Sequence, residues 1–200
     1  MSAGAGRAKT PGRPRDTSID DRVLSAARDL LMEVGWNGLS MRLVAARAGV
    51  GRASLNRRFP SKAELVLQAI LGEAPDLSPF SGTDLSGWID WVVRGSHELF
   101  SREAVRIAVP GLLLALREND ELRKALWQNF SGPAVQLFAA HRDATTEDER
   151  RRVDLDARAV LAMAAGAALF MTTVAVDDDS EALRRHIADL LTTAVVHRAQ

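Results

Sequence analysis

A chain of 200 residues with 46% apolar residues and a mean hydropathy of −0.08 has room for one large domain, or a small domain on a larger one, with a sizeable core. It has no cysteine, which excludes disulfides, thiolate metal sites and a cysteine nucleophile. The net charge of zero hides a split: residues 1–62 carry 12 Lys+Arg against 5 Asp+Glu, and residues 63–200 carry 14 against 21. That asymmetry predicts a basic head that meets a polyanion and an acidic body that does not.

In chain order, residues 1–17 are rich in Gly, Pro and Arg, without periodicity, and read as a disordered basic arm with no secretory signal. Everything after residue 18 reads as helix. The first helix is expected over 19–34, capped by Ser18 with Asp21 as capping-box partner and ended by Gly35. Ser40 opens a second to Ala48, stopped by Gly49; a third covers 52–59, stopped by Pro60; and Ser61 caps a fourth. Residues 72–84 read as a linker. Further helices are expected over 85–101, 102–119 with a kink or break at Pro110-Gly111, Asp120 to 141 with an interruption at Gly132-Pro133, 154–176 and 180–198. No run of about 18 apolar residues is read, so no membrane-spanning helix is expected.

The strongest signal is residues 40–59, SMRLVAARAGVGRASLNRRF: two short helices about a tight turn. Ala45 is small where the helices cross, and Gly49 suits a left-handed turn. Val50 and Leu55 point inward, and Arg52, Ser54, Asn56, Arg57 and Arg58 form the remaining surface. An apolar back and a cationic front is what a helix in the DNA major groove requires, although a helical hairpin with a solvated face has the same pattern.

Residues 22–65 resemble the DNA-binding domain of the TetR family of bacterial transcriptional regulators. The resemblance is carried by Arg22 to Ala27, the Gly35-Trp36 pair, Ser40, the run Val44 to Val50, and Phe59, Lys62 and Leu65. It departs from the family at Asn56, where a Tyr is usual, and at Gly51, where a Ser is usual. The resemblance implies an all-α fold: an N-terminal three-helix helix-turn-helix domain at 18–62, preceded by the 1–17 arm, and a helical regulatory and dimerisation body at 63–200, about nine helices in all. It implies a repressor in the cytoplasm that binds a palindromic operator as a homodimer. By carry-over, Ser54 and Lys62 contact phosphate, Arg42 reaches the groove edge, and Arg52, Asn56 and Arg57 face base edges, with Arg58 toward the backbone. Arg13 and Arg15 resemble a minor-groove hook, or simply add charge.

For the body, the resemblance implies dimerisation through the last two helices, where Ala164, Ala167, Leu183, Ile187, Leu190, Leu191 and Val195 form stripes that could equally serve the chain's own core. It also implies a ligand pocket. Trp88, Trp91, Phe100, Trp127, Phe130, Met163 and Phe170 are the bulky candidates for its lining, or for plain core, and favour a small hydrophobic ligand. No metal-ligand spacing, nucleophile elbow or nucleotide-binding glycine pattern occurs, so no enzyme, metal site or cofactor is expected. The alternatives are a DNA-binding regulator without a small-molecule ligand, or an architectural DNA binder.

Overall fold

The computed structural model describes residues 17–72, 84–140 and 144–197. The basic arm with Arg13 and Arg15, and most of the expected linker, lie outside the described residues. Among the described residues there is no strand. The helices are α1 (Thr17–Gly38), α2 (Met41–Ala48), α3 (Arg52–Arg58), α4 (Lys62–Leu71), α5 (Leu85–Ser101), α6 (Glu103–Glu118), α7 (Asp120–Leu126), α8 (Gly132–Ala140), α9 (Glu147–Thr173) and α10 (Glu181–His197). A π-helical turn, Trp127–Ser131, joins α7 to α8, so these two count as one rod and the described residues hold nine helices, as expected.

Local chemistry explains most boundaries. Gly35 sits at φ 68°, ψ −179°, which breaks the helical path where the sequence predicts an end, and a short turn continues to Gly38. Ser40 and Ser61 accept hydrogen bonds from the backbone N–H of Leu43 and Glu64, at 3.3 and 3.1 Å, and so cap α2 and α4. Asn119 caps α7, which starts at Asp120 as expected. Thr146 and Glu149 form a reciprocal capping box that starts α9 seven residues before the expected 154. Backbone hydrogen bonds from Thr146 and Thr145 hold the Glu149 carboxyl down to about 2.

Two expected interruptions are absent. Pro110 lies inside a continuous α6, and Gly132-Pro133 follows the π-turn without breaking the rod. The expectation about membrane spans also needs correction. Residues 159–176 are an uncharged, largely apolar run, and by length and composition α9 is sufficient to cross a membrane. Its inner face is nevertheless core, with Val160, Ala164 and Ala168 buried.

The apolar side chains fall into two clusters. The first joins α1–α4 to α6 and α7 and includes Val23, Leu30, Leu55, Phe59, Leu65, Val105, Ala108 and Leu112. It therefore crosses the boundary expected at residue 62. The second joins α5, α8, α9 and α10 around Trp88, Ile89, Phe138, Ala157, Val160 and Leu191. Trp88 meets Phe138 edge to face, with ring centroids 4.6 Å apart. At the corner before α10, Asp179 accepts from His97 Nε2 at 2.6 Å and from Arg184 Nη1 at 2.5 Å. Burial alone would raise the Asp179 carboxyl, but these two partners hold it below its ordinary value.

Candidate nucleic-acid interface

The turn between α2 and α3 is built as its glycine suggests. Gly49 is left-handed at φ 65°, and its N–H and that of Val50 close on the end of α2. Leu55 is fully buried, Phe59 nearly so, and Val50 packs against the same cluster. These contacts fix how α3 is presented.

A helix of seven residues can show only one face. In α3 that face is Arg52, Ala53, Asn56 and Arg57, all exposed and all within about 140° around the axis at 100° per residue. Arg42, at the start of α2, is exposed as well. Ser54 and Arg58 fall on the other side with Leu55 and are half-buried. Ala53 was not among the expected residues. The signal for it was present, because its position one residue after Arg52 and three before Asn56 puts it on the same face.

Two expected phosphate-side residues are engaged elsewhere. Arg58 Nη1 donates to Asp20 Oδ1 of α1 at 2.7 Å, and both side chains are largely shielded from solvent. Lys62 Nζ donates to the backbone carbonyl of Trp36 at 2.9 Å and lies 4.5 Å from the centroid of the Trp36 ring. Burial holds the Lys62 ammonium below its ordinary pKa. The carry-over of phosphate contacts meets a different geometry here: both cations are spent on fixing α1 to α3 and α4. Arg47, also basic, is paired bidentately with Glu33 at 2.8 Å. Of the expected DNA-facing cations among the described residues, Arg42, Arg52 and Arg57 are left facing outward.

In the body, the bulky residues expected around one pocket do not converge. Trp88 is consumed by the second cluster, with Trp91 half-buried at its edge, and Phe100 packs on the first. Trp127 is exposed and lies over the Arg158 guanidinium, 4.7 Å from ring centroid to Cζ. Met163 and Phe170 point outward, at 50% and 56% exposure. Phe130 alone of the seven lines the cleft between α4 and α7, about 100 Å³, with Leu67, Leu71 and Leu126 as apolar wall and Glu64, Gln68 and Asn129 as polar groups. Periodicity placed these aromatics on helices but could not say which side of each helix the neighbouring helices would take.

The expected dimer stripe divides in the same way. Ala164, Leu191 and Val195 are buried in the chain's own second cluster, and Ile187 packs against it; Ala167 and Leu183 are half-buried and Leu190 is exposed. Among the described residues a second apolar face of α9 remains uncovered, formed by Leu155, Ala159, Ala162, Met163, Gly166 and Phe170, which share one side of the helix. Leu190 and Ala194 of α10 are exposed too.

Residues 23–69 match the family model described as bacterial regulatory proteins, tetR family. The chain is 36% identical over 75 residues to the uncharacterised HTH-type transcriptional regulator YdeS of Bacillus subtilis, across 38% of this chain and 38% of that protein. It is 37% identical over 101 residues to the HTH-type transcriptional repressor DrrR1 of Streptomyces coeruleorubidus, across 50% of this chain and 35% of that one. The chain thus spans under two-fifths of the length of these curated relatives. The fold likeness reaches further. NalD, the secondary repressor of the MexAB-OprM multidrug efflux pump in Pseudomonas aeruginosa, superposes with a TM-score of 0.57 at 23% identity, over 89% of this chain and 97% of that one. The multidrug binding protein EbrR, complexed with imidazole, gives 0.56 at 24%, over 87% and 93%.

Proposed function

From the premise that this chain belongs to the TetR family of bacterial regulatory proteins, we propose that it is a cytoplasmic repressor that binds a palindromic operator as a homodimer. The observation that carries the reading is the exposed face of α3. It offers two arginines and an amide around a small apolar residue, backed by fully buried Leu55. Arg52 and Arg57 suit bidentate contact with guanine, Asn56 suits adenine, and the Ala53 methyl suits the methyl group of thymine. Arg42 reaches the flanking phosphates. One such helix reads only a few base pairs, so specificity calls for two of them on a symmetric site.

Pairing is supported by α9. A helix apolar on two faces needs cover on both, and among the described residues only the Ala157, Val160 and Ala164 side is covered. A second copy supplies the other cover by presenting the same Met163, Gly166 and Phe170 face. The ligand reading rests on the α4–α7 cleft, whose apolar wall with Glu64, Gln68 and Asn129 suits a small hydrophobic molecule with one hydrogen-bonding group. The π-turn contributes two of its residues, Asn129 and Phe130, and π-turns recur at functional sites. The fold neighbour EbrR is a multidrug binding protein.

Selection of duplexes from a random library by the purified protein tests the reading. Enrichment of a short palindrome is expected. Arg52→Ala and Arg57→Ala should each relax preference at one position of each half-site, at about 1–3 kcal/mol per position. Long unspecific footprints, or substitutions that leave the selected sequence unchanged, would favour an architectural binder instead.

A further inference from the structure

Among the residues where head meets body is Trp36, which sequence alone marks only as the aromatic partner of Gly35. The break at Gly35 carries Trp36 away from the α1 axis, and its indole comes to rest on the backbone of α6 at Gly111. A methyl group built on Gly111 would overlap the indole, against its Cε2, Nε1 and Cδ2 atoms. Gly111 therefore forms a notch in α6 that any larger residue would fill. The preceding Pro110 does not kink α6 out of the helix. On its other contacts Trp36 is held from the head: Lys62 Nζ lies over the ring and donates to its carbonyl oxygen. Lys62 is the first residue of α4, three residues past Phe59, which ends α3.

We infer that Trp36, seated in the Gly111 notch and clamped by Lys62, is the positioning residue that sets the angle of the recognition helix on the body. An indole is a flat, rigid plate with only two side-chain torsions. Seated against a backbone notch, with a cation over its ring, it fixes orientation where aliphatic contacts would slide. Lys62 then acts by holding the plate rather than by touching phosphate. The consequence for DNA, a preferred spacing between half-sites, rests on the function proposed above; the joint itself does not.

Because the chain has no cysteine, two spin labels can be placed at will. Ala53→Cys on α3 and Gln136→Cys on α8 are both exposed positions, one on the head and one on the body. Labelled protein diluted with unlabelled chain, measured by double electron–electron resonance, reports their distance within one chain. A single narrow distance is expected for the parent protein. Gly111→Ala should shift or broaden it, and adding Trp36→Phe, whose smaller ring leaves room for the methyl, should restore it. Circular dichroism checks that helix content is retained. An unchanged distance in Gly111→Ala, or no recovery with Trp36→Phe, would overturn the joint. On duplexes the parent selects, Gly111→Ala should bind paired half-sites about 5- to 150-fold more weakly and single half-sites unchanged. Equal loss on both would mean a damaged head and would also overturn it. Should the parent select no paired duplex while the distances respond as expected, the joint stands and the operator reading falls.

Discussion

In the head, the apolar side chains are used up inside the chain. Val23, Leu30, Leu55 and Phe59 are at or near zero exposure, and of the large apolar side chains described there only Met32 and Val34, near the end of α1, are exposed. In the body, α9 buries one apolar stripe and leaves another open, with Leu155, Met163 and Phe170 each at least half exposed. A unit whose stripes are satisfied internally can present a polar face to a polar partner, the groove and phosphates of DNA. A unit with an apolar face left over carries area whose removal from water, by the second copy proposed above, would drive association. The charge split along the chain follows the same division of labour.

The comparison is broken most directly at its two cores. Phe59→Ala and Phe138→Ala should each cost about 3–5 kcal/mol in urea unfolding, since both rings are essentially fully buried. The pattern of loss matters more than its size. Hydrogen exchange should show Phe59→Ala losing protection in α1–α4 and α6, which share the first cluster, and Phe138→Ala losing it in α5, α8, α9 and α10. Uniform loss in both variants would mean that the two clusters unfold as one, and the contrast between regions would then be one of surface only.

The head was legible because its chemistry is local. Ser40, Gly49 and Ser61 act within four residues of where they sit, so their roles as caps and turn follow from spacing. The face of α3 follows from 100° per residue once Leu55 is taken as the inner residue. What could not be read was long-range. Nothing near Lys62 in the sequence points to the Trp36 carbonyl, 26 residues away, nor near Arg58 to Asp20, 38 residues away. The body suffered from the same limit twice. Leu191 and Val195 show the periodicity of an interface, yet the partner that takes them is the chain's own bundle. Met163 and Phe170 show that of a core, yet they stand outside it. An apolar stripe states that it will be covered and does not state by what.

That ambiguity sharpens into the next prediction. Phe170→Glu removes an aromatic anchor from the open face of α9 and sets a charge there, while touching no part of the second cluster. Loss of such an anchor costs about 2–4 kcal/mol of association, or roughly 30- to 1000-fold in the dimer dissociation constant. Sedimentation equilibrium should show a dimer in the parent and a monomer in the variant at micromolar concentration, with Phe138 and Trp88 still buried by fluorescence and exchange. Dimers that persist in Phe170→Glu would place the contact on another surface of the body.

The smallest effect tests whether the head is as finished as it looks. Ser61 caps α4 with a hydrogen bond, but Gly51 stands at the corresponding position of α3 and offers none. Its backbone is extended, at φ −67° and ψ 137°, and a side chain there meets open space. Gly51→Ser should therefore raise stability by a few tenths of a kcal/mol from the cap, with about 0.4–1 kcal/mol more from the narrower unfolded ensemble. Ser61→Ala should lower it by about 1 kcal/mol, giving thermal shifts of opposite sign. The gain at Gly51 has a second reading in binding. The first turn of α3 carries Arg52 and Ala53, and a firmer turn loses less freedom when it enters the groove. If Gly51→Ser stabilises the free protein yet weakens duplex binding, then the uncapped start of α3 is an adjustment to its DNA site: the first turn of α3 must shift as it docks, and a side-chain cap would resist that shift.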